Sequence, residues 1–74
     1  MTLDKLNLNQ TGYIQNLHCN ENVKRRLLDL GLIIGTSITP IFVSPSGDPT
    51  AFEVRGSVIA IRIEDTRLID ISSK

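Results

Sequence analysis

The sequence predicts a mainly β fold: a small barrel of about five short strands with one short helical insertion after the first strand. Three observations lead there. Twenty of the 74 residues are Val, Ile or Thr, the β-branched types that suit a pleated sheet. Only one segment, NENVKRRLLDLGL from Asn20 to Leu32, spaces its apolar residues at a helical period. Elsewhere short alternating runs are cut by Gly and Pro, and so many short strands in so small a chain are best closed into a barrel, because open edges invite aggregation.

The elements follow in order. Residues 1–9 are expected as a ragged lead. A first β-prone run lies between Thr11 and Leu17, around Tyr13 and Ile14. In the helix that follows, Asn20 or Asn22 can accept a free N–H of the first turn. Gly31 falls where a left-handed residue ends a helix, so positive φ is expected there, and Gly35 is read as a turn. Val23, Leu27 and Leu30 make an apolar stripe, which predicts that Leu27 and Leu30 tie the helix to the barrel. The run SITPIFV places Ile38 and Phe42 on one side and Ile41 and Val43 on the other; Pro40, lacking an N–H, puts the run at a sheet edge or on a bulge. The turn SPSGDP, Ser44 to Pro49, leads into TAFEVRG, where Phe52 and Val54 alternate with Glu53 and Arg55, turning Arg55 outward. SVIAIRI then sets Ile59, Ile61 and Ile63 against Val58, Ala60 and Arg62. Glu64 to Thr66 suits a turn and Leu68 to Ile71 a closing strand, with 72–74 as a tail.

Composition bounds the function. An 8.2 kDa chain is one domain, 1–74, and buries only about 60% of the surface its unfolded form exposes. A large cofactor pocket is not expected, and no cofactor is assigned. Leu, Ile, Val and Phe supply 25 of 74 residues, enough to exclude a disordered chain. Eight basic residues balance eight acidic ones, and neither half is the basic slab of a typical nucleic-acid binder. The apolar runs are far too short to span a bilayer, no signal peptide is evident, and a lone Cys19 fits a reducing compartment. A cytoplasmic location is expected.

The chemistry-bearing residues are few. His18 and Cys19 are adjacent, so on a strand they face opposite ways, and no third group orients them as a catalytic pair. A structural zinc site needs four Cys or His ligands where this chain has two. Glu53, Glu64, Asp65 and Asp70 lack the spacing of a calcium loop. Glycines 12, 31, 35, 47 and 56 do not cluster as a phosphate loop does. The single charge run, Lys24-Arg25-Arg26, reads as a solvated helix face. A nucleic-acid-binding barrel needs stacking aromatics, and the chain holds only Tyr13, Phe42 and Phe52, two of which read as core-facing.

Four stretches taken together resemble one family. Arg25 to Thr36, RRLLDLGLIIGT, resembles the "RRL-x-x-LGL-x-x-GT" signature of FeoA, ferrous iron transport protein A. Ser44 to Pro49 resembles its "P-x-GDP" turn, followed by a strand and "RG" at Arg55-Gly56. Val58 to Arg62 and Thr66 to Ile71 resemble its last two segments. Two positions depart: Ile34 stands where many members carry Pro, and Thr66 where they carry Ala. The resemblance implies an SH3-like barrel and a small, non-enzymatic, cytosolic accessory protein of bacterial ferrous iron uptake. The implied partner is the cytosolic region of the FeoB permease; composition adds no nucleic acid and no membrane embedding, and an edge strand such as Ile38 to Val43 leaves weak self-association open. A nucleic-acid-binding barrel and a metal-sensing or carrier module are the alternatives. Arg25, Arg26, Asp48 and Arg55 lie in the matching stretches and are the candidate partner-binding residues. The competing reading has Arg26 or Arg55 paired internally with Asp48 or Glu53.

Overall fold

In a computed structural model that describes residues 1–73, five antiparallel strands form one sheet: β1 (Gly12–Leu17), β2 (Ser37–Val43), β3 (Thr50–Val54), β4 (Ser57–Ile61) and β5 (Ile69–Ser72). Helix α1 (Glu21–Asp29) is inserted between β1 and β2, and a single turn, α2 (Ile63–Thr66), joins β4 to β5. The strand order is β4-β3-β2-β1-β5, so β2 sits at the centre and β4 and β5 at the edges. Five short strands curling around one core, with a helix inserted after the first, match the expected barrel. The molecule measures 30 × 26 × 23 Å.

Each strand and α1 sends one apolar side chain or more into the core: Ile14 from β1, Leu27 from α1, Ile38 from β2, Phe52 from β3, Ile61 from β4 and Ile69 from β5. The local signals at the helix ends hold. Asn20 is the N-cap, its side-chain oxygen accepting the Val23 N–H at 2.9 Å. Gly31 has φ +92°, and the turn it allows brings Leu32, fully buried, down into the core.

Several expectations are corrected. Leu30 is 43% exposed while Leu27 is 1% exposed; the helix ends at Asp29, and Leu32 takes the core position assigned to Leu30. Phe42, expected beside Ile38 on one face, is 60% exposed. The register of β2 against β3 shifts between Pro40 and Phe42. That bulge inserts Ile41 as an extra residue, and one extra residue inverts every side chain after it. Pro40 therefore lies on a bulge of the central strand, not at an edge. On its β1 side, Ile38 pairs with Gly12 and the Pro40 carbonyl accepts the Asn9 N–H at 2.6 Å, so the first half of Ile38 to Val43 is no free edge for self-pairing. Ile63 does not continue β4 but starts α2, half exposed. The first nine residues are not ragged: a 3₁₀ turn at Leu3–Lys5 buries Leu3 and Leu6 in the core.

That lead also covers one sheet edge. Thr2 bridges Asp70, and the Ile71 N–H donates to the Met1 carbonyl at 2.8 Å, along the outer side of β5. The outer side of β4 bonds no other backbone among the described residues.

Candidate functional site: the arginine-rimmed groove beside α1

The four candidate residues fall into two groups. Arg25 and Arg26 lie on the exposed side of α1, and Arg55 reaches the C-terminal end of the same helix. Asp48 is elsewhere, in the β2–β3 loop.

Arg26 donates through Nη2 to Asp65 Oδ2 of α2 at 2.8 Å, with the carboxylate mostly shielded. Arg25 is exposed and has no bonded partner among the described residues. Arg55 and Gly56 form the two-residue turn of the β3–β4 hairpin, with φ +53° and +80°. Positive φ at both central positions matches the twist of a tight hairpin, and Asn or Gly accepts it more easily than Arg. The Arg55 chain then runs back over Gly31, with Cδ 4.0 Å from where a Cβ would stand. Its guanidinium donates to Thr36 Oγ1 at 3.4 Å, a long bond to a neutral acceptor that leaves the charge without a carboxylate partner among the described residues.

Asp48 accepts the Ile63 N–H at 2.8 Å through Oδ1. It thereby supplies the cap that Arg62, the N-cap residue of α2, does not. Its role is to hold α2, and α2 in turn presents Asp65 to Arg26. Neither arginine pairs with Asp48 or Glu53; the internal partners are Asp65 and Thr36, 39 and 19 residues away in sequence.

Between α1 and β4 lies a groove of about 380 Å³. Leu27, Leu30 and Ile61 line it with Arg26, Arg62 and Ala60. A second hollow of about 310 Å³ lies under the N-terminal turn, where Leu8, Val43 and Ile63 converge. The sequence offered no local signal for either, since each is assembled from segments far apart in the chain.

Other chemistry is sparse. His18 Nε2 and Asp70 Oδ2 meet at 2.5 Å across the β1–β5 pair, both partly exposed, while Cys19 packs toward the core. Among the described residues no three His, Cys, Asp or Glu side chains come together as a metal site. No helix among them is long and apolar enough to cross a membrane.

The architecture is shared with known structures. The FeoA protein of Chlorobium tepidum is 26% identical, with a TM-score of 0.90 over 97% of this chain and 69% of that one. Iron(II) transport protein A of Clostridium thermocellum is 25% identical with a TM-score of 0.93, and this chain spans 44% of its length. Stenotrophomonas maltophilia FeoA, solved in complex with zinc and described as a procaryotic SH3 domain protein, is 28% identical; its TM-score is 0.81 over 99% of this chain and 91% of that one. The sequence itself matches the FeoA domain over residues 1–73. With that match and the SH3-like barrel in common, this chain belongs to the FeoA domain family.

Proposed function

We propose that this chain is a non-enzymatic, cytoplasmic accessory protein of bacterial ferrous iron uptake that acts by binding the cytosolic region of the FeoB permease. The observation that carries the proposal is the FeoA domain match over residues 1–73, in a chain whose exposed features suit recognition. A binding protein influences a transporter only through unequal affinity for two of its states. A reversible contact suffices, and the surface of so small a barrel supports one.

The arginines support this reading. Among the described residues Arg25 and Arg55 have no carboxylate partner, and they flank α1 at its exposed side and its C-terminal end. Exposed guanidinium groups are frequent interface anchors, since they stack and donate in pairs to carboxylates. Arg26 contributes less freely, being held by Asp65.

The test compares Arg25→Glu and Arg55→Glu with the parent protein for thermal unfolding and for binding to the permease's cytosolic region. Weakened binding at an unchanged melting temperature is the expected result. Undiminished binding by both folded variants would remove the arginines from the interface, and no binding by the parent protein would remove the partner.

A further inference from the structure

The β3–β4 hairpin fixes which backbone groups of β4 are free. Its two-residue turn makes Val54 and Ser57 a hydrogen-bonded pair, and alternation makes Phe52 and Ile59, then Thr50 and Ile61, the next such pairs. The intervening Val58 and Ala60 therefore point their N–H and C=O groups away from β3, to the side where, among the described residues, no other backbone bonds to β4. Their side chains are also exposed, Val58 by 61%. Four backbone hydrogen-bonding groups thus stand along an unpaired edge, beside the groove floored by Leu27, Leu30 and Ile61.

Only an extended backbone matches that spacing of donors and acceptors, so the edge selects a strand rather than a helix or a small molecule. Charge selects among strands. Arg55 stands in the turn just before β4 and Arg62 directly after its end. Among the described residues the guanidinium of Arg62 has no bonded partner and that of Arg55 has only a neutral one. Of the carboxylates lining the groove, Asp65 is engaged with Arg26, leaving Glu64, beyond Arg62 on α2. A second copy fits poorly. Antiparallel pairing of two β4 strands about Ile59 sets each Arg62 against the other copy's Gly56, next to its Arg55, bringing like charges together at both ends.

From these features we infer that β4 is a docking edge for an extended, acidic segment of a partner protein. The segment pairs its backbone with Val58 and Ala60, turns apolar side chains toward Leu27, Leu30 and Ile61, and brings carboxylates to Arg55 and Arg62. This deepens the partner-binding reading above and rests on it for the partner's identity, but not for the chemistry of the edge.

The probe is a short synthetic peptide of alternating valine and threonine with a glutamate at each end, titrated into isotope-labelled protein. Hydrogen exchange at the Val58 and Ala60 amides is expected to slow by about tenfold or more at saturation, while the Ile59 and Ile61 amides, already bonded to β3, change little. N-methylation of the peptide's pairing amides is expected to weaken binding by about tenfold, the loss of one to two hydrogen bonds. Replacing its glutamates by lysines is expected to weaken it further. Ala60→Pro removes an outward N–H without touching the β3 ladder and is expected to abolish protection at Val58; if that variant does not fold, the N-methylated peptide decides alone.

Equal binding by the N-methylated or lysine-ended peptide overturns the proposal, as does protection centred on any other element. Protection of Val58 and Ala60 that rises with protein concentration in the absence of peptide overturns it in favour of a second copy. The permease reading fails separately. If the permease's cytosolic region binds Ala60→Pro as well as the parent protein while the peptide does not, the edge is real but is not where the permease docks. If the region binds neither, the partner is wrong, and the peptide result still decides the edge.

Discussion

The Asp48 carboxylate accepts the backbone N–H of Ile63 at 2.8 Å, so a loop between two strands caps the single helical turn that leads into the closing strand. Asp48 thereby acts on Arg26 at one remove, because that turn carries Asp65. Removing the acceptor in Asp48→Ala is expected to cost about 1 kcal/mol, the usual worth of a cap. Asp48→Asn keeps an oxygen in place and is expected to cost a few tenths of a kcal/mol. Urea denaturation of the two variants separates this capping role from a purely electrostatic one, in which both would lose alike.

Leu27 and Leu30 lie three residues apart with opposite fates. Leu27→Ala removes a side chain that is 1% exposed and is expected to destabilise the fold by about 2–5 kcal/mol, a large part of what a domain of this size has. Leu30→Ala is expected to shift stability by no more than about 0.5 kcal/mol, as for other exposed positions. Melting temperatures of the pair provide the check.

Gly31, at φ +92°, has nothing nearer than Arg55 Cδ at 4.0 Å around the position of a Cβ. The cost of Gly31→Ala is therefore backbone strain rather than collision, and is expected to be about 1–2 kcal/mol. A neutral result in chemical denaturation would mean that the backbone can relax out of the left-handed region here.

Arg55 holds φ +53° in a turn that Asn or Gly occupies with less strain. Arg55→Asn is expected to raise stability by up to about 1 kcal/mol and at the same time to weaken binding to the permease's cytosolic region. Calorimetric unfolding combined with a binding titration would detect both effects. A gain in stability with undiminished binding would make the residue a structural accident.

The Arg26–Asp65 pair joins α1 to α2, but the guanidinium side remains more than half exposed. A double-mutant cycle with Arg26→Ala and Asp65→Ala is expected to return a coupling of about 0.5–1 kcal/mol. That coupling should shrink as salt is raised.

What was legible in the sequence was what neighbours in the chain decide. The Asn20 cap, the Gly31 stop and the Phe52–Val54 alternation each depend on residues within a turn of one another. The exposure of Phe42 is not legible locally, because a bulge is set by the partner strand and the single inserted residue Ile41 reverses an otherwise regular pattern. The strand pattern extends through Ile63, whereas the helical turn that starts there is capped by Asp48, fifteen residues upstream. The candidate site was legible in part. The family signature pointed to Arg25, Arg26, Asp48 and Arg55, but the partners that hold Arg26 and Arg55, and the groove between α1 and β4, are formed by segments far apart in sequence.

The bridge from Thr2 to Asp70 and the bond from Ile71 to Met1 bear on how many molecules this sheet can recruit. With β5 already sealed by its own chain, the sheet has valency one, and a strand added at β4 closes the assembly instead of offering it a new growing end. Head-to-tail polymerisation through the sheet is thereby blocked, even though an apolar edge is left bare. A protein built this way can keep a sticky strand available at high concentration and still meet each partner as a single unit.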